Sequence, residues 1–234
     1  MPRQVPRRQK ACSKAGGFTL VELLVALMVM ALLSLMSWRG LDAMGRAQTQ
    51  TQARADTLQA LSNGLAQWGA DLDAMADDLP PAKSINTTPA PMEWNGQVLR
   101  ITRYSNTADG AGLRVIAWTL MADAEGKAWQ RWQSPVASTR ADLQQFWTRA
   151  GTWAQSPTPA DPARQVSQVR IVDATDWQIF YFRGDAWTNP GSSSDAAASN
   201  PDGVRLQLTL PPNHPLAGKL IRDWIRPTAV GSKS

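Results

Sequence analysis

One carboxylate stands apart from the other acids of this 234-residue sequence. Glu22 lies within residues 18–38, FTLVELLVALMVMALLSLMSW, where only Thr19, Glu22, Ser34 and Ser37 interrupt an apolar run. A lone acid in a membrane helix costs about 2.5–3.5 kcal/mol at the bilayer centre and less toward the interface. Such a group needs a partner of opposite charge, or else a place among the headgroups. Material for catalysis is scarce elsewhere. His214 is the only histidine, in the turn Pro211-Pro212-Asn213-His214-Pro215, and is expected to be exposed. Cys12 is the only cysteine, so no intramolecular disulfide can form. A histidine metal site, a Ser-His-Asp triad or a Cys-His pair therefore has almost nothing to work with. The acid pairs Asp71/Asp73, Asp77/Asp78 and Asp173/Asp176 lack calcium-loop spacing and read as solvated faces or helix ends. Gly110-Ala111-Gly112 is too short for a phosphate loop. No catalytic residue, metal ligand or cofactor is expected.

The element that must carry Glu22 is a helix. At 1.5 Å per residue, about 20 apolar residues span roughly 30 Å, the hydrocarbon thickness of a bilayer. Arg3, Arg7, Arg8, Lys10 and Lys14 precede this segment, whereas only Arg39 and Arg46 follow it closely. That asymmetry keeps the N-terminus cytoplasmic and exports residue 39 onward. Residues 1–17 carry all the excess charge, because the remainder holds 19 basic and 19 acidic side chains. The formal charge of +5 thus implies no nucleic-acid surface.

Ahead of the apolar run stands Gly16-Gly17 followed by Phe18-Thr19-Leu20-Val21-Glu22. Together with the basic leader, this resembles the cleavage and methylation signature of type IV prepilins and type II secretion pseudopilins. The resemblance implies a prepilin peptidase that cuts between Gly17 and Phe18 and methylates the new amine on Phe18. A residue without a side chain lets the backbone enter a peptidase cleft closely. It also implies that the Glu22 carboxylate attracts the Phe18 ammonium of a neighbouring subunit during filament assembly. The alternative for Glu22 is a neutral passenger at the headgroups.

The organisation expected is a leader at residues 1–17, a transmembrane helix at 18–38, a periplasmic helical continuation at 39–79 and a β-rich periplasmic domain at 80–234. Leu58, Leu61, Leu65, Trp68, Leu72, Met75 and Leu79 recur at spacings of three and four, as one apolar helix face. Gly45, Gly64 and Gly69 suggest a bend or local break, and Pro80-Pro81 ends the helix. Strands follow. A hairpin joins 92–94 to 97–104 through a type I′ turn at Asn95-Gly96, and a second joins 113–121 to 128–132. Residues 138–150 predict a helix with Thr139 and Asp142 as capping pair and Leu143, Phe146 and Trp147 on one face. Strands are expected at 168–173, 177–182, 204–210 and 220–226, a mobile loop at 189–202 and a fraying tail at 228–234. Trp118, Trp129, Trp132, Trp177 and Trp224 read as core rather than sugar-stacking platforms, and Trp38 as an interfacial anchor. The fold class is α+β, a long N-terminal helix packed on antiparallel sheets, as in pilins.

Within that family, Trp38-Arg39-Gly40-Leu41-Asp42 and the closing strand Val204-Arg205-Leu206-Gln207-Leu208-Thr209-Leu210 are similar to the J-type minor pseudopilins of type II secretion. This likeness implies a tip complex with the I- and K-type minor pseudopilins, on the major pseudopilin, anchored in the inner membrane. A PilW-like minor pilin of a type IV pilus is the alternative, and a membrane-anchored periplasmic enzyme a third.

Overall fold

The computed structural model describes residues 17–79, 89–107, 110–123, 125–155, 168–190 and 200–227. Its elements run α1 (Leu20–Asp73), β1 (Met92–Trp94), β2 (Val98–Thr107), β3 (Gly110–Asp123), β4 (Gly126–Gln133), α2 (Arg140–Trp153), β5 (Gln168–Asp173), β6 (Asp176–Arg183), β7 (Ala186–Thr188), β8 (Gly203–Leu210) and β9 (Gly218–Ile225). The architecture is α+β, a long N-terminal helix with antiparallel sheets, consistent with a pilin-like fold. Two compact units divide the chain, Met1–Ala53 and Arg54–Ser234.

From residue 20 to residue 38 α1 is apolar on nearly every side, with Leu20, Leu24, Val25, Met28, Leu32 and Met36 all exposed. A helix that is hydrophobic all round needs an apolar surrounding. Among the described residues, α1 is the one helix long and apolar enough to cross a membrane.

The second unit holds both sheets. Strands β1 to β5 follow one another in a five-stranded sheet, and the order in the four-stranded sheet is β7-β6-β8-β9. The chain changes sheet at Ala174 and Thr175, whose N–H groups donate to Lys127 O and Thr209 O, one on each sheet. Side-chain alternation gives the first sheet two apolar faces. Leu99, Ile101, Ile116, Trp118 and Trp129 share a core with Leu61, Trp68 and Leu72 of α1 and with Ile179, Val204, Leu206 and Leu208 of the second sheet. Val98, Val115, Ala117 and Trp132 pack instead with Leu143, Trp147, Ala150 and Trp153 of α2. That helix starts where the sequence predicts, at a complete Thr139/Asp142 capping box.

Between Trp129 and Gln130 the partner in β5 changes from Val172 to Arg170, so Ile171 is the extra residue of a β-bulge. Gly64 faces it: a Cβ there would stand 2.2 Å from Ile171 Cγ2. The glycine is needed for close approach of helix and sheet, and α1 runs through it without the expected break.

Other expectations are corrected by pairing. The helix ends at Asp73, short of Leu79. Strand β1 covers only residues 99–101 of β2, and the backbone just after α1 takes the next places: Ala76 N–H donates to Thr102 O and Tyr104 N–H to Ala74 O. Asn95-Gly96 is not a type I′ turn, since only Gly96 has positive φ and Asn95 Oδ1 accepts the N–H groups of Gln97 and Val98. That turn type fits Gly184-Asp185, with φ of 55° and 69°, which joins β6 to a strand the sequence pattern does not show, β7. Residues 191–199 of the expected mobile loop and the tail 228–234 lie outside the described residues.

Candidate functional site

The residues singled out at the N-terminus lie together at the start of α1. Glu22 N–H donates to Thr19 Oγ1 at 3.3 Å and Leu23 N–H to Thr19 O at 3.2 Å, so Thr19 acts as N-cap. Glu22 falls in the first turn, where the positive end of the helix dipole favours a carboxylate. A Cβ built on Gly17 would meet nothing within 4 Å, and Phe18 is 84% exposed. Among the described residues, none stands against Gly17 beside the peptide bond it makes with Phe18. Cleavage there would create an amine just ahead of the N-cap, with Glu22 one turn further on. Leader residues 1–16, including Cys12, lie outside the described residues.

The acid pairs do not converge, and Asp71 overturns the solvated-face reading. Its carboxylate is fully buried. Oδ1 accepts from Gln67 Nε2 (3.0 Å), Arg103 Nη1 (2.6 Å) and Arg131 Nη2 (2.9 Å). Oδ2 accepts from Arg131 Nε (2.8 Å) and Trp118 Nε1 (2.9 Å). One carboxylate thus joins α1 to β2, β3 and β4 through a bidentate arginine and an indole, where charge-assisted bonds are strongest. A signal for it was present: Asp71 adjoins the stripe residues Trp68 and Leu72, while Arg103 and Arg131 stand two residues from the inward-facing Ile101 and Trp129. The neighbouring acids also hold the fold. Asp73 accepts from Trp224 Nε1 at 2.7 Å, Asp77 pairs with Arg226 at 2.5 Å, and Asp78 accepts from Tyr104 Oη at 2.8 Å.

A second buried pair lies beneath α2. Arg100 Nη2 meets Glu93 Oε2 at 2.6 Å, and Arg100 Nη1 donates to Trp147 O with its guanidinium over the Trp147 ring. Burial raises the Glu93 carboxyl above its ordinary range, and Arg100 only partly offsets this.

His214 is in a turn, as expected, but it is not exposed; the ring is buried at 7% exposure between β8 and β9. The five tryptophans expected in the core are buried, and Trp118 stacks on Trp129 with ring centroids 4.3 Å apart. Trp38 is 73% exposed in the first unit. Gly110-Ala111-Gly112 pairs within β3 against residues 105–107. Among the described residues, no three His, Cys, Asp or Glu side chains gather as metal ligands would.

Residues 12–38 match the family model described as the prokaryotic N-terminal methylation motif. The matched span includes Gly17, Phe18, Glu22 and the apolar part of α1. It supports a protein of the type IV pilin-like or pseudopilin kind, which implies processing by a prepilin peptidase and partners in pilus-type assembly. The single apolar N-terminal helix is consistent with single-pass anchoring in the inner membrane.

Proposed function

We propose that this chain is a J-type minor pseudopilin of a type II secretion system, working in the tip complex that primes and caps the pseudopilus. The observation that carries the reading is the methylation motif at residues 12–38, joined to an α+β fold with a long N-terminal helix. The likeness to J-type subunits rests on residues 38–42 and on the closing strand, which here is β8 with β9 paired beside it. In this reading the peptidase cuts between Gly17 and Phe18, and residue 39 onward lies in the periplasm. The methylated Phe18 ammonium of one subunit then meets the Glu22 carboxylate of its neighbour. Inside the membrane that attraction is far stronger than in water, because the dielectric is low. It fixes the axial register of the filament. Motif and fold suit a structural protein, and assembly rather than catalysis is its work.

The test is affinity purification of the full-length protein from its native cells, with mass spectrometry of its N-terminus and of what accompanies it. The expected result is a methylated Phe18 terminus and recovery of I- and K-type minor pseudopilins with the major pseudopilin. Recovery of pilus subunits instead would make it a PilW-like minor pilin, and a mature terminus beyond Trp38 would remove the family reading altogether.

A further inference from the structure

The connection from Leu210 to Gly218 folds tightly on itself. His214 N–H donates to Pro211 O and Ala217 N–H to His214 O, each at 3.0 Å. The imidazole closes the turn from within, for Leu216 N–H donates to His214 Nδ1 at 3.0 Å. A backbone N–H can donate only to a ring nitrogen that carries a lone pair, so the ring is neutral with its proton on Nε2. Nε2 is buried and has no hydrogen-bond partner among the described residues.

The turn borders a cleft of about 420 Å³. Asp56 of α1, Arg170 and Asp173 of β5 and Asn213 of the turn help to wall it. The charged groups that share the cleft with the ring are Asp56 from the helix and Arg170 and Asp173 from the strand; Arg170 is itself paired with Asp173 and Glu125. The turn contributes no other titratable side chain.

We propose that protonation of His214 unlatches the β8–β9 turn: the imidazolium offers no acceptor to Leu216 N–H, and the loop opens along the cleft between α1 and β5. Protonation would also add a second N–H to the ring, on Nδ1, where it would point at the Leu216 N–H that the lone pair now accepts. Burial holds the imidazole below its ordinary pKa of 6.5, against the smaller pull of Asp173 in the other direction. The sign of the linkage follows. Above the ordinary value the ring is neutral whether folded or unfolded and costs nothing. As pH falls below it, the unfolded chain takes up the proton first and native stability declines, until the folded ring is charged and the Leu216 bond is lost.

Because the chain has one histidine, selective ¹⁵N-histidine labelling of the full-length protein in detergent micelles gives one pair of ring signals. The expected spectrum at pH 7 is the Nε2–H tautomer, persisting below the pH at which a free imidazole is half protonated. Hydrogen exchange at Leu216, corrected for intrinsic rates, should then accelerate about tenfold as the ring titrates. His214→Asn puts a non-titrating oxygen in reach of Leu216 N–H, and its protection at Leu216 should be flat across the same range. An Nδ1–H tautomer, a ring that titrates at or above the ordinary value, or the same pH response in His214→Asn would each overturn the proposal.

Discussion

Replacing Asp71 by alanine should destabilise the second unit more than any other change to a single charge. Both oxygens of this carboxylate are occupied by protein donors, and no solvent reaches it. The arginines left behind are poorly hydrated, with side chains only 10% exposed for Arg131 and 20% for Arg103. Removing one partner of a buried pair costs about 3–5 kcal/mol, because the survivor stays buried without compensation. Against a typical total of about 5–15 kcal/mol, that is a large fraction of the stability. Asp71→Asn keeps the volume but turns an N–H₂ group toward Arg131, so it should cost nearly as much. Asp71→Leu combined with Arg131→Met removes the more buried of the two ion pairs and should recover part of the loss, Arg103 at 20% exposure losing its Asp71 partner as before. The assay is denaturant unfolding of a truncated protein beginning at Arg46, expected to be soluble and β-rich, followed by tryptophan fluorescence; Trp118 sits on the network itself. A loss below about 1 kcal/mol for Asp71→Ala is the value of a solvated surface pair and would refute the argument.

Three other outcomes can be checked directly. Gly64→Ala should cost about 1–3 kcal/mol by forcing a methyl into Ile171, and Ile171→Ala in the same chain should relieve part of it; equal unfolding midpoints for Gly64→Ala and wild type would show that the bulge yields freely. Thr139→Ala should lose about 0.5–2 kcal/mol from the capping box, read as a shift in thermal midpoint with unchanged circular dichroism at low temperature. Glu22→Gln should leave insertion and processing intact yet weaken crosslinking to neighbouring subunits, and undiminished crosslinking at equal processed levels would make Glu22 a passenger.

What could be read from the sequence was mostly local. The α2 helix and its cap, the β3–β4 hairpin and the β8–β9 pair are set by neighbours a few residues apart, and they appear where periodicity and turn residues place them. The division into two sheets was not legible, because nothing in β5 or β6 alone says that Ala174 and Thr175 send the chain from one sheet to the other. Asn95-Gly96 misled because the Asn95 side chain captured the N–H groups that a type I′ turn arranges otherwise. Strand β7 is three residues long, too short for alternation to register. Asp71 and His214 share a different cause. Their polarity argued for solvent, yet both are buried; Asp71 is paired through long-range arginines, whereas His214 accepts from the Leu216 amide within its own turn. At the N-terminus the opposite holds, since the motif that includes Gly17, Phe18 and Glu22 is read from one short run of sequence.

Strand order also sets a timetable for folding. Strands β1 to β5 lie in the sheet in the order of the chain, so that sheet can close hairpin by hairpin as chain becomes available. In the other sheet β8 pairs with β6 and not with its predecessor β7, so the free edge of β6 waits for residues from Gly203 onward. Until residues beyond Gly203 arrive, the shared core lacks Val204, Leu206, Leu208, Leu210 and Trp224. A nascent domain arrested at that stage leaves their apolar neighbours uncovered, a surface of the kind that aggregates or is held by a chaperone. Strands β8 and β9 therefore decide whether everything folded before them stays in solution.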